Sequence, residues 1–358
     1  MHRVVYTASV AVVALGGSGL LARWSPPATD WWLQVPAATL PLLGPLALPA
    51  ALAVGAEWAR NRRFGMGLCT VALAAVFTGW ALRTSAPPTA APDQPDRLRV
   101  MTLNAGDSAG REGTVAEYVE RRGPDIVVLQ EAGANWGPYA AILEEAGITG
   151  AAYAPVAARV ASVGGYTVLT DTTAGAVETS RQVTLTRLPV VSHTSGFLGA
   201  AEPRAGVYSR TVVRWGGGEV AVYNVHLRAF NPQVGWTWER AVDPAVWAQT
   251  PENLRRFFAE QAVEAEALAR MVERETQPVI VAGDFNAAAD QWNRAILTRT
   301  LREVTGRWLP AATRPDTTPA VNVDGVLVGP EWAVGEVEVG PAGLSDHRAI
   351  FASLALRR

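Results

Sequence analysis

Lysine is absent from this 358-residue chain, so all 31 positions counted as Lys or Arg are arginine. Charged residues amount to only 18%, and the net charge of -2 supplies no global basic field of the kind that grips long nucleic acid. Without lysine there is no P-loop, which removes the common nucleotide-hydrolase architecture. Cys69 is the only cysteine, which excludes a disulfide scaffold and leaves the chain compatible with an oxidising compartment. No internal repeat is evident. Histidine is scarce, with four residues, so the positions of His226 and His347 carry information.

What the chain has in surplus is apolar sequence, 49% of the whole, and the surplus is concentrated at the start. Three uncharged stretches of membrane-spanning length run over about 4–22, 35–56 and 64–82. The second contains Pro36, Pro41, Pro45 and Pro49, which kink a helix or suit a re-entrant segment. The first also fits a cleaved signal peptide, because His2 and Arg3 precede it, but the sequence before Arg23 and Trp24 is a poor cleavage site. The stretches carry no acidic or basic side chain to line a pathway, which argues against a transporter. The expectation is an N-terminal bundle of about three transmembrane helices over residues 1–83.

Arginine sets the orientation. Arg60, Arg62 and Arg63 lie between the second and third stretches, against a single Arg23 with Asp30 after the first. By the positive-inside rule the Arg-rich loop is cytoplasmic and everything after Arg83 lies outside. If the Pro-rich segment does not cross, that assignment reverses. The expected localisation is therefore the cell membrane, multi-pass, with an extracytoplasmic catalytic domain. Residues 84–97, TSAPPTAAPDQPDR, form a Pro/Ala-rich linker, and 98–358 a separate domain.

Six short motifs follow in order: Leu103-Asn104, Gln130-Glu131, Asn224-Val225-His226, Gly283-Asp284-Phe285-Asn286, Val323-Asp324 and Ser345-Asp346-His347. Each stands at the end of, or beside, an apolar, β-branched run, so a folded sheet projects these polar groups along one rim. Strand-like runs without intervening helices dominate the middle of the domain, which indicates a largely antiparallel α+β protein. The longest soluble helix is expected to begin near Thr250 and Pro251 and to bury a stripe of Leu254, Phe257, Phe258, Ala265, Leu268 and Val272.

Taken together, the six motifs resemble the endonuclease/exonuclease/phosphatase superfamily, related to deoxyribonuclease I, over residues 97–358; the chain looks like a membrane-anchored bacterial member. The resemblance implies a four-layer αββα sandwich and a phosphohydrolase that uses Mg2+ or Mn2+. It implies that Glu131 holds the metal, with Asn104 orienting it or a bound water and Asp346 reaching the metal region. Asp284 and Asn286 would position the attacking water, Asp324 would pair with His347, and His226 would donate to a phosphate oxygen or the leaving group. Arg187 is a loose match to a phosphate-approaching arginine.

Substrate is the least legible feature. A Trp-rich stretch after His226 carries Trp236, Trp238 and Trp247 and suits a lid, a base platform or a lipid-headgroup contact, or else a loop tucked on the sheet surface. The leading expectation is a membrane-anchored, metal-dependent phosphodiesterase acting on a phosphate ester from a lipid headgroup, an envelope component or nucleic acid. An extracellular nuclease and a catalytically silent scaffold on the same fold are the alternatives; loss of a ligand residue would mark the scaffold, and none is lost. No protein partner can be inferred.

Overall fold

Strict alternation along the apolar runs lets each strand bury both faces, one against a second sheet and one against helices. In strand β1 (Leu98–Asn104), Leu98 and Val100 enter one core cluster while Met101 and Leu103 enter another. The computed structural model of the chain describes residues 2–60, 72, 75, 96–106, 111–132, 155–170, 182–200, 205–230, 244–305, 313–314 and 321–357.

The first sheet comprises β1, β2 (Ile126–Gln130), β3 (Thr167–Thr170), β4 (Val183–Thr186), β11 (Trp332–Val339) and β12 (Ile350–Leu356), in the order β11-β12-β1-β2-β4-β3. The second comprises β5 (Val190–Phe197), β6 (Val207–Trp215), β7 (Gly218–His226), β8 (Val279–Asp284), β9 (Arg302–Glu303) and β10 (Asp324–Val328), in the order β5-β6-β7-β8-β10-β9. Val100, Ile126, Val128, Val220, Val222, Ile280 and Val326 fill the space between the sheets. Outside the first sheet pack α5 (Glu112–Arg122) and α6 (Pro155–Gly164); outside the second packs α7 (Pro244–Glu273). The layers are therefore helix, sheet, sheet, helix, as expected.

Among the described residues two neighbouring pairs are parallel, β1 with β2 and β7 with β8. Parallel partners end on the same edge, so Asn104 lies opposite Gln130 and His226 opposite Asp284, while antiparallel β10 brings Asp324 opposite Asp284. That register creates the rim on which the motifs meet. Gly283 makes it possible: its φ is +153°, and an added Cβ would lie 1.9 Å from the Val225 carbonyl oxygen of β7.

Two expectations need correction. Helix α7 begins at Pro244, and Pro251 lies inside it, so the proline at the first helical position is one proline earlier than expected. The buried stripe stands, with Phe258, Ala265, Leu268 and Val272 in the core.

The N-terminal bundle of three transmembrane helices is reduced to one candidate. Among the described residues, the segment Tyr6–Trp24, mostly within α1 (His2–Leu21), is the one helix long and apolar enough to cross a membrane, a test that a signal sequence also passes. The second stretch is interrupted: α2 (Pro27–Asp30) and α3 (Gln34–Ala38) precede a break at Thr39, after which α4 (Leu40–Arg60) runs on. Pro41 lacks the N–H that would continue the ladder, and Gln34 is drawn instead onto the catalytic fold. Most of the third stretch, 64–82, and of the linker lie outside the described residues.

A Gly283→Ala substitution is expected to destabilise the fold by about 1–3 kcal/mol or more, because a rigid backbone rather than a flexible side chain opposes the new methyl group. Thermal unfolding with an unchanged midpoint would refute the close approach.

Candidate active site

Asn104 closes β1 and joins the two sheets through one amide group. Its Nδ2 donates to Glu131 Oε1 and to Asp284 Oδ2, both at 2.9 Å, and its Oδ1 accepts from the Gly106 N–H at 3.0 Å. Glu131 follows β2 with φ +52°, and Asn286 follows β8 with φ +45°. Among the described residues these are the two non-glycine positions in the left-handed region, and both lie at the rim, where backbone strain is retained for placement of a side chain.

The carboxylate of Asp284 is the centre of the group. Its Oδ1 accepts from the Asn286 N–H at 2.8 Å, and its Oδ2 lies 3.8 Å from His226 Nε2 and 3.9 Å from His347 Nε2. On the far side of His347, Nδ1 is 2.8 Å from Asp324 Oδ2, which fixes the ring and leaves Nε2 facing Asp284. His226 Nε2 is also 3.6 Å from Glu131 Oε1. Asp284, Asp324 and His347 are buried, whereas Glu131 is partly open to solvent.

Burial drives the His347 imidazole towards the neutral form, but the Asp324 carboxylate, by charge and by hydrogen bond, and the Asp284 charge outweigh it and raise the group to about 9. Burial likewise opposes ionisation of Asp284; the charges of His347 and His226 and the hydrogen bonds from Asn104 and the Asn286 N–H overcome it and hold the carboxyl below its ordinary value. Near neutrality the site therefore pairs an ionised acceptor with a cationic donor. A carboxylate that can take a proton from water lies beside an imidazolium that can stabilise phosphoryl charge.

The structure brings together Asn104, Glu131, His226, Asp284, Asp324 and His347, and puts Asn286 beside them, where its side chain donates to the Leu227 carbonyl. It does not bring in Asp346, whose carboxylate is 3.3 Å from Arg314 NH2 and belongs to neither carboxylate-imidazole group. Arg187 is also elsewhere: its guanidinium donates to the Gly164 carbonyl and lies over the Tyr166 ring. Trp236 and Trp238 fall outside the described residues. His193 faces the Thr211 hydroxyl, in keeping with a structural role.

Three supporting residues escaped the sequence reading. Gln261 of α7 is buried, and its Nε2 donates to the carbonyls of Arg228, Phe285 and Asn286 while its Oε1 accepts from Asn293. Glu264 binds the Arg228 guanidinium and two backbone N–H groups, fixing the exit of β7 just after His226. Arg294, buried over the Phe285 ring, pairs with Glu303 and donates to the Val323 and Asp324 carbonyls, holding the turn that carries Asp324. A signal existed for Gln261: it interrupts an apolar stripe at helical spacing between Phe258 and Ala265.

The donor set fits a hard divalent cation. Glu131, His226 and Asp284 each offer an atom, these lying within 4.8 Å of one another, as do those of Asp284, Asp324 and His347. Nδ1 and Nε2 of His226 and Oδ1 of Asp324 are buried without a hydrogen-bond partner, an arrangement that a bound ion and its waters would satisfy.

A two-sheet sandwich carrying paired carboxylates and imidazoles along one rim defines a hydrolase of the deoxyribonuclease I-like class. The sequence profile of the Endonuclease/Exonuclease/phosphatase family matches residues 101–347, and the chain belongs to that family. Members are hydrolases and generally depend on a divalent metal. Among solved structures, an endonuclease/exonuclease/phosphatase from Bacteroides vulgatus is 14% identical with a TM-score of 0.52, covering 73% of this chain and 99% of that one. A humanized D. rerio TDP2 is 15% identical with a TM-score of 0.50, covering 72% and 99%. A family protein from Bacteroides thetaiotaomicron is 13% identical with a TM-score of 0.50, covering 74% and 96%. These likenesses establish the fold. No curated protein matches the chain.

In protein freed of metal by a chelator, the raised His347 value makes its pairing with Asp324 a source of stability. The contribution is full below the ordinary imidazole value near 6.5 and is lost as pH rises through about 9. The thermal midpoint of the wild type should exceed that of Asp324→Asn at pH 6 and approach it above pH 9.5. A gap independent of pH would contradict the assignment.

Proposed function

We propose that the chain is a membrane-anchored phosphohydrolase, most directly of phosphodiesters, which cleaves by attack of water on phosphorus. The observation that carries this reading is the single carboxylate of Asp284 bonded to Asn104 and flanked by His226 and His347. Asp284, kept ionised, accepts the proton of the attacking water. The Asn286 N–H steadies the same carboxylate, and its left-handed backbone holds that N–H in place.

His347, held charged by Asp324, stabilises the phosphoryl oxygen, and His226 is positioned to serve the leaving oxygen as the P–O ester bond breaks. Glu131 and Asp284 are the residues to hold Mg2+ or Mn2+, with Asn104 orienting both carboxylates. Such an ion, when bound, supplies Lewis-acid polarisation of the phosphoryl oxygen. Asp346 retains only an indirect part, through the Ser345 hydroxyl, which donates to it and accepts from the His347 N–H.

The apolar segment Tyr6–Trp24 supports the anchor.

Full-length protein in detergent should hydrolyse a chromogenic phosphodiester with magnesium or manganese and fall silent with chelator. Asp284→Asn and His347→Ala should each lower turnover by about two to four powers of ten while the fold persists. Near-normal turnover in both variants would remove the site assignment, and a folded, metal-binding wild type inert on phosphodiesters, nucleic acid and phosphomonoesters would favour a scaffold.

A further inference from the structure

The turn between α1 and α4 is not free of the catalytic fold. Gln34 is fully buried and completely bonded: Nε2 donates to the Ala22 and Ser25 carbonyls, Oε1 accepts from the Trp292 N–H at 2.9 Å, and its own carbonyl accepts from Gln291 Nε2 at 3.1 Å. Arg23 adds an ion pair to the buried Asp290 at 3.4 Å. The short helices of this turn pack against α7 and against the helical turn Trp292–Ala295. Burying this many polar groups is tolerable only when each is satisfied, so the register between the turn and the domain is specific.

The seat of this turn lies in the loop that leaves the active-site rim. Ala288–Trp292 begins two residues after Asn286 in the same loop, and the chain length from Asp284 to Asp290 bounds their separation to about 20 Å. On the other side, the turn leads into apolar surface that protein leaves uncovered. Val10, Leu15 and Leu21 of α1 and Leu46 and Leu52 of α4 are exposed, and in the turn that follows α1 stand Trp24, 69% exposed, and Trp32, 52% exposed. Apolar side chains along α1, a helix of spanning length, followed by exposed tryptophans in the next turn, have the arrangement of a membrane span with its interfacial anchors.

We infer that residues 22–38 form a clamp that seats the rim of the active site on the lipid bilayer, and that the substrate is accordingly a phosphate ester carried by a lipid at that surface. The inference rests on the membrane-anchored phosphohydrolase reading above. It commits the exposed tryptophans to the headgroup layer, a few residues from the contacts that hold Asp290 and Trp292. It also requires the clamp and the catalytic fold to share one face of the membrane. Gln34 acts here as a positioning residue, through the loop it holds and without touching substrate.

The test uses the full-length protein reconstituted in phosphatidylcholine vesicles that carry a lipid phosphodiester with a fluorogenic headgroup, beside a water-soluble chromogenic phosphodiester, both with magnesium. Gln34→Leu and the double variant Trp24→Ser/Trp32→Ser should each lower turnover of the vesicle-borne lipid by about tenfold or more and leave the soluble diester within about twofold of wild type. The tryptophans are exposed, so the double variant decides the matter if Gln34→Leu does not fold. Equal losses on both substrates, or no loss on either, would overturn the clamp. A wild type that cleaves single-stranded DNA in preference to the vesicle-borne lipid would overturn the substrate class and leave the phosphohydrolase standing. A wild type inert on every substrate would defeat the underlying reading instead.

Discussion

One amide governs the site. The two sheets contribute different carboxylates, Glu131 from the first and Asp284 from the second, and the Asn104 Nδ2 donates a proton to each. Two like charges bound to one donor would repel, and the shared donor offsets part of that cost while setting their separation. Everything else at the rim depends on this link. If β1 slipped by one residue against β2 and β12, Asn104 would turn to the opposite face and both carboxylates would lose their donor.

The sheets are kept from sliding by a second polar seam just behind the first. Gln130 Nε2 donates to Asn224 Oδ1 at 2.7 Å, while Asn224 Nδ2 donates to the Leu129 and Val183 carbonyls, all within the buried space between the layers. Apolar packing alone would specify this interface weakly, because valines and isoleucines tolerate small shifts. Directional bonds between fully buried amides penalise any shift that leaves one of them unpaired. The stability of the sandwich thus comes from its valine-rich interior, and its register from a few amides at the rim.

This division explains what the sequence revealed. The alternating runs and their terminal motifs were legible because a period of two and a chemical residue at a strand end are local properties. Asn104, Glu131, His226, Asp284, Asp324 and His347 meet as those motifs implied. What stayed hidden was non-local. The pairing of Asp346 with Arg314 and the withdrawal of Arg187 onto Tyr166 and Gly164 depend on which loop lies beside which strand, and no spacing encodes that. The start of α7 was misplaced for a different reason: two prolines, Pro244 and Pro251, both suited a first helical turn, and local preference does not choose between them. The interruption of the second apolar stretch at Thr39 belongs to the same class, since hydropathy reads length and apolarity but not the pull of Gln34 toward Trp292.

A chain of buried polar contacts connects Gln34 to the catalytic loop. Gln34 binds the Gln291 side chain and the Trp292 N–H; Asn293, the next residue, donates to Gln261 at 2.6 Å; and Gln261 in turn donates to the Asn286 carbonyl at 3.1 Å. The backbone of Asn286 is held at a positive φ, which costs on the order of 1–3 kcal/mol unless its surroundings fix it. Gln261 supplies that constraint directly, and α7 carries it. Because the clamp joins the far end of this chain at the backbone of Trp292, its loss leaves the Gln291 side chain still accepting from the Ala288 N–H and Gln261 still bonded to Asn286. The local geometry of the site is thereby insulated from the contact between this turn and the domain, because the two rest on separable sets of bonds.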